Sequence, residues 1–218
     1  MNVRPATREF EYWTPDQVFA GETVFCLASG PSLTQEIVDK IRGPRTIVVN
    51  TSVNLAPWAD VLFFTDSGWY EPRRELVANF AGLVISMSAT AKRELPDKVK
   101  RVQGIGDPQG GCFPKLGSPG VRQGRSSGHT AVGLAIALGA SRVILVGYDM
   151  RMVGGREHHH SEYSGPRDLD QYAREFVPAF NGWNEDAHKV GVKILNATPL
   201  SAVREFPMVN LEEVLNAV

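Results

Sequence analysis

Cysteine is scarce: the 218 residues hold two, Cys26 in an apolar run and Cys112 in a glycine-rich stretch. No disulfide framework is expected from such a pair, and a reducing compartment suits the chain. No apolar run approaches the roughly 20 residues needed to cross a bilayer, so no membrane span is expected. A charge excess is also missing, since 23 Lys and Arg offset 24 Asp and Glu for a formal net charge of −1. Without a basic field to draw in a polyanion, a generic nucleic-acid binder is excluded; only local clusters such as Arg73-Arg74 remain. The first 22 residues carry charges throughout and lack an apolar core, so no secretory leader is expected and the cytoplasm is the expected location. Two phosphate-binding signatures are absent as well. No Gly-Lys-Ser/Thr loop occurs, and Gly104-Ile105-Gly106 lacks the third spaced glycine of a dinucleotide fingerprint.

What is present reads as one α/β domain over residues 1–218, with residues 1–20 as an N-terminal extension. Within that extension, Thr14 with Pro15 behind it suits the cap and first position of a short helix. The chain is organised around Thr23-Val24-Phe25-Cys26-Leu27, a short β-favouring run that ends in Ala28-Ser29-Gly30-Pro31-Ser32-Leu33. Ser32 and Gln35 have capping-box spacing, so a helix is expected to start at Ser32. A strand feeding straight into a helix N-terminus gathers unpaired N–H groups and attracts phosphate; a plain tight turn is the alternative reading.

Further strands are expected at residues 46–49, 59–64, 82–85, 142–146 and 192–195, with a short edge strand at 98–102. Helical patterns cover 71–80, 168–189 and 211–218. The small-residue run Ala131, Gly133, Ala135, Ala137 makes a helix whose backbone can approach a neighbour closely, capped by Gly139. Residues 104–127 read as a long glycine- and proline-rich loop and 151–167 as a lid-like loop. Alternating strands and helices predict a Rossmann-like, mainly parallel sheet with helices on both faces.

In such sheets ligands bind outside the carboxyl ends of the strands. The expected strand ends are small and polar: Ser29-Gly30, Asn50-Thr51, Thr65-Asp66, Tyr148-Asp149 and Asn196 to Thr198. They form a credible binding edge, although turn chemistry alone favours the same residues. Asp66 and Asp149 could hold a magnesium ion or simply cap their loops. Trp69-Tyr70 could stack on a base or pack on the domain. In an extended segment His158 and His160 share a side, which would bring both to the site while His159 faces away. Histidine meets the need for a base near neutral pH without special tuning. The cluster could also be a solvated loop or, as paired imidazoles, a metal site. His129 and His188 are read as structural.

Leu27 to Leu33, Val49-Asn50, Arg125-Ser126-Ser127-Gly128 leading into Ala135 to Gly139, and Val146-Gly147-Tyr148-Asp149 together resemble a known superfamily. It comprises bacterial sialyltransferases that use cytidine monophosphate sialic acid, and archaeal 6-hydroxymethylpterin diphosphokinases with similar proteins, many carried by phages. The resemblance implies a nucleotide-dependent transferase, most simply a glycosyltransferase-like enzyme using a CMP-sugar or other nucleotide-sugar and a hydroxyl acceptor. The alternatives are a magnesium- and ATP-dependent diphosphokinase, or a nucleotide-binding protein without turnover. By resemblance the nucleotide would contact Ser29, Gly30, Ser32, Asn50, Ser126, Ser127 and Gly128, and the nearest candidates for the general base are His158, His159 and His160, of which His158 and His160 share a side; Pro31, Thr51, Asp66, Tyr148 and Asp149 join the expected nucleotide site as neighbours at the strand ends. The chain departs from the sialyltransferases in its compressed lid region and in showing no match to the tyrosine pair that steadies their leaving phosphate. A homo-oligomer is left open.

Overall fold

The computed structural model describes residues 12–106, 113–114, 116–162 and 170–217; Cys112 lies outside them. Seven strands form one parallel sheet: β1 (Thr23–Leu27), β2 (Arg45–Val49), β3 (Val61–Phe64), β4 (Leu83–Ser86), β5 (Val99–Arg101), β8 (Arg142–Val146) and β9 (Lys193–Asn196). Their order is β5-β4-β3-β2-β1-β8-β9. The expected Rossmann-like α/β architecture is therefore present. β1 is central, pairing Leu27 with Val48 on one side and with Val146 on the other.

Side chains alternate across this strand, as a strand buried on both faces requires. Val24 and Cys26 join one core cluster and Phe25 and Leu27 the other. α1 (Gln35–Lys40), α2 (Ser67–Tyr70), α3 (Arg74–Asn79), α4 (Ala89–Glu94) and α7 (Leu211–Leu215) contribute to the second cluster. α5 (Ser127–Ala137) and α6 (Trp183–Lys189) cover the opposite face. Every residue of α5 is buried, which explains its lack of a polar stripe. At Gly133 a Cβ would overlap the Arg122 carbonyl oxygen, so the small side chain does permit the expected close approach.

Several expectations change. Thr34, not Ser32, caps α1, accepting from the Ile37 N–H. No helix forms at Thr14-Pro15; residues 18–21 make a turn, and Phe19 reaches the core, so this part of the extension is docked. The 104–127 stretch is not structureless, because β6 (Gln103–Ile105) and β7 (Gly120–Arg122) pair in parallel. Residues 168–189 do not form one helix. Over the described part, a π turn (Tyr172–Phe176) and a 3-10 turn (Pro178–Phe180) precede Gly182 at φ +79° and only then α6. Pro178 and Gly182 interrupt the helical ladder, and Phe180 turns inward to bury completely.

Candidate functional site

The chain runs outward from β1 to β5 and then returns to place β8 on the other side of β1, so strand order reverses between β1 and β8. At the carboxyl ends of these strands lies a solvent-open cleft with a cavity volume of ≈ 120 Å³. Ser29 and Gly30 after β1, Asn50 after β2 and the Ser126 to Gly128 turn line it, as does His158 from the loop after β8. Asn50 and Met150 both adopt positive φ, +52° and +49°, where non-glycine residues are uncommon. Both line the cleft, so local backbone strain collects at its rim. The side-chain oxygen Oδ1 of Asn50 is buried without a hydrogen-bond partner.

The histidines reach the cleft through a tight hairpin. Val153 and Arg156 exchange backbone hydrogen bonds of 3.0 and 3.1 Å around Gly154 and Gly155, both at positive φ. This two-glycine turn suits the twist of a hairpin and sends the chain back across the end of β1. There the Ser29 carbonyl oxygen receives the His159 N–H at 3.1 Å and stands 3.3 Å from His158 Nδ1. A carbonyl can only accept, so Nδ1 carries the proton in this contact and the lone pair of His158 lies on Nε2.

His158 and His160 share a side as expected, with rings stacked at 5.2 Å and 6°. His158 lines the cleft; His160 is absent from its lining and accepts the Glu162 N–H at Nδ1. Burial, then the neighbouring imidazoles, hold His160 down at about 4. That leaves His160 a feeble proton acceptor at neutral pH and makes His158 the better-placed base. His159 Nε2 lies 3.5 Å from Ser52 Oγ, and burial also holds this ring at about 4. Glu162 closes the segment by pairing with Arg73 and accepting from Asn54 Nδ2 at 3.1 Å.

Other sequence-selected residues take supporting positions. Asp149 is completely buried and its Oδ2 accepts from the Ser32 N–H at 3.3 Å and from Ser32 Oγ at 2.8 Å. Burial raises its carboxyl pKa, opposed by the Ser32 donors. The Gly30 N–H is bonded to the Gly147 carbonyl at 2.8 Å and the Leu33 N–H to the Gly30 carbonyl at 3.1 Å. The turn at residues 30–33 therefore spends its donors inside the chain instead of forming the expected phosphate cradle. Pro31 is buried and outside the cleft lining. Thr51 accepts from Trp69 Nε1 at 3.0 Å, and Tyr70 stacks on Phe64, so this aromatic pair packs in the core. Tyr148 is buried, with its hydroxyl donated to the Gly128 carbonyl at 3.0 Å. Asn196 and Thr198 bond to each other, to Tyr148 and to Val203, away from the cleft.

Asp66 is exposed, outside the cleft lining, and accepts from the Thr65 hydroxyl at 3.1 Å. With Asp149 committed to Ser32, the two carboxylates do not converge. Among the described residues no group of three His, Cys, Asp or Glu side chains could hold a metal ion. No described helix is long and apolar enough to cross a membrane.

Three contributors escaped sequence reasoning. Tyr172 and Phe176 line the cleft, one helical turn apart and edge-to-face at 5.6 Å. Their i, i+4 spacing was visible, but it read as the apolar stripe of a continuous helix. His129 is buried behind the cleft, 2.8 Å from both Ser126 Oγ and the Phe176 carbonyl. Its position three residues after a serine cap was the available signal.

No protein-family model matches the chain, and no curated protein matches its sequence. Among solved structures it is similar to the sialyltransferase CstII from Campylobacter jejuni, described in complex with a substrate analogue, cytidine-5'-monophosphate. The TM-score is 0.54 at 14% identity, over 87% of this chain and 85% of that one. The fold is sialyltransferase-like. At this identity the likeness establishes the sialyltransferase-like fold and assigns no reaction.

Proposed function

We propose that this chain is a nucleotide-dependent transferase of the glycosyltransferase kind, moving a sugar from a nucleotide donor, in the first instance a CMP-sugar, to a hydroxyl acceptor. The observation that carries the reading is that His158, oriented through Nδ1 by the Ser29 carbonyl, faces the same cleft as the N-terminal turn of the eleven-residue helix α5. The first turn of a helix presents N–H groups without intrahelical partners, and its dipole favours an anion there. The donor phosphate is placed against Ser127 and Gly128. The nucleoside lies along Ser29, Gly30 and Asn50, whose buried Oδ1 needs a ligand donor such as an amine or a sugar hydroxyl.

The acceptor hydroxyl gives its proton to His158 Nε2 as its oxygen bonds to the anomeric carbon. The bond from that carbon to the phosphate oxygen breaks, its electron pair leaves with the phosphate, and the α5 N-terminus stabilises the departing charge. Tyr172 and Phe176 give the cleft an apolar part of its lining. A thermal-shift screen against CMP, CDP, UDP, GDP, ADP and ATP, each with and without magnesium, tests this reading. A magnesium-independent shift with CMP is expected, followed by turnover of a CMP-sugar in a coupled assay. A shift with magnesium-ATP alone replaces the reading with a diphosphokinase, and no shift with any of them leaves a protein without this chemistry.

A further inference from the structure

The cleft has two walls from distant parts of the sequence, the α5 cap at Ser126 and the π turn ending at Phe176, and one fully buried imidazole spans them. His129 Nε2 lies 2.8 Å from the Phe176 carbonyl and His129 Nδ1 2.8 Å from Ser126 Oγ. The ring stacks on Phe180 at 3.8 Å, and a Cβ at Gly124 would overlap it, so neither translation nor rotation of the ring is free.

The hydrogen-bond accounting then has one solution. The Phe176 oxygen can only accept, so Nε2 must carry a proton. Burial brings the ring down to about 4, so at neutral pH it holds that one proton and Nδ1 is a lone pair. Ser126 must therefore donate its hydroxyl proton to Nδ1. One lone pair of Oγ receives the His129 N–H that caps α5, at 3.5 Å. What Ser126 offers to the cleft is a second lone pair, an acceptor.

We propose that His129 is a positioning residue which locks Ser126 as a hydrogen-bond acceptor, so that Ser126 reads a donor on the nucleoside, a ribose hydroxyl or an exocyclic amine, and not a phosphate oxygen. This refines the function proposed above and rests on it. It divides the cap turn between two tasks, with phosphate at the backbone of Ser127 and Gly128 and nucleoside at the side chain of Ser126.

Imidazole-nitrogen NMR on the full chain tests the tautomer: His129 should show protonated Nε2 and unprotonated Nδ1 across pH 6–8, and a protonated Nδ1 overturns the proposal. Calorimetric titration with CMP and with cytidine tests the division of tasks. Ser126→Ala should weaken both ligands by the same factor, about three- to tenfold for a neutral hydrogen bond, leaving their affinity ratio unchanged. His129→Gln, whose amide keeps a donor toward Phe176 while releasing the Ser126 proton, should weaken both in the same proportion. If Ser126→Ala lowers CMP affinity and spares cytidine, Ser126 contacts phosphate and the proposal is wrong. A wild-type chain that binds neither ligand overturns the function proposed above and the ligand assignment with it, while the NMR result still decides the tautomer independently.

Discussion

Asp149 and Ser32, 117 positions apart, form a closed pair in which one carboxylate oxygen accepts both the backbone N–H and the hydroxyl of the serine. The other oxygen, Oδ1, is buried without a partner. This pair ties the turn after β1 to the end of β8, next to the cleft-lining residues Gly30 and Gly147.

Removing the hydroxyl leaves a buried charge poorly satisfied. Ser32→Ala should cost about 1–3 kcal/mol in denaturant unfolding, the range for an orphaned buried acceptor. Asp149→Asn keeps an acceptor for Ser32 and removes the buried charge, while its Nδ2 takes the place of the partnerless Oδ1 and adds a buried donor, so any advantage over wild type should be greatest at pH 7. A raised folded-state pKa means that the native state binds the proton more tightly than the unfolded chain. Acidification thus relieves the wild-type penalty, and the advantage of the asparagine variant should shrink as pH falls through the folded pKa toward the ordinary carboxylate value. A magnesium ligand would instead show itself as metal-dependent stability lost in Asp149→Asn.

Gly30 has no room for a side chain, since a Cβ would overlap Asp149 Oδ2 and the Gly147 carbonyl. Gly30→Ala should destabilise the fold by about 1–3 kcal/mol, as overpacking does, and weaken CMP binding by shifting Ser29. Thermal unfolding and titration on the same sample check both.

His158→Ala should leave CMP affinity largely intact and reduce turnover about 10²–10⁴-fold, the usual contribution of a positioned base. His160→Ala should reduce it much less, because His160 stands outside the cleft lining. Equal losses in the two variants would point to a structural role for the stacked pair.

Acid should loosen the histidine segment. His159 and His160 sit at about 4 in the folded chain against an ordinary 6.5, held down first by burial and then by neighbouring imidazoles, with Glu162 raising both and Arg73 lowering His160. For a depressed histidine the stabilising contribution is complete above about 6.5 and is lost as pH falls toward 4. Melting temperature should therefore drop between pH 7 and pH 5 more steeply in wild type than in a His159→Gln, His160→Gln variant.

The tie between Glu162 and Arg73 is partly exposed, so Glu162→Ala should change global stability by no more than about 1 kcal/mol. Hydrogen exchange across residues 156–162 should nevertheless accelerate, because the segment loses its tie to Arg73 and Asn54. Unchanged exchange would show that the Ser29 contacts hold the segment alone.

The sequence by itself determined the strands of the seven-stranded sheet, their parallel pairing and the polar ends where the cleft opens; the β6–β7 pair was hidden in a stretch that read as loop. Those follow from local causes: short β-branched runs such as Val143-Ile144-Leu145-Val146 bury on both faces, and Gly30 and Gly139 punctuate them. The small residues of α5 likewise announced its close packing. Strand order, and with it the choice of polar ends that face the cleft, was decided only by tertiary structure. Ser29 and Asn50 line it, whereas Thr51, Asp149 and Thr198 are turned into internal hydrogen bonds, because side-chain direction at a strand end depends on pairing with distant residues. The break between Tyr172 and Trp183 was local at Pro178 and Gly182, and tertiary in the direction the chain took there. Its helical pattern was real, but burial of Phe180 against His129, and of Trp183 against Arg122, which pairs with Asp186 at 2.9 Å, outweighed local propensity. The tautomer of His129 belongs to the same class: no local pattern contains the Phe176 carbonyl that decides it.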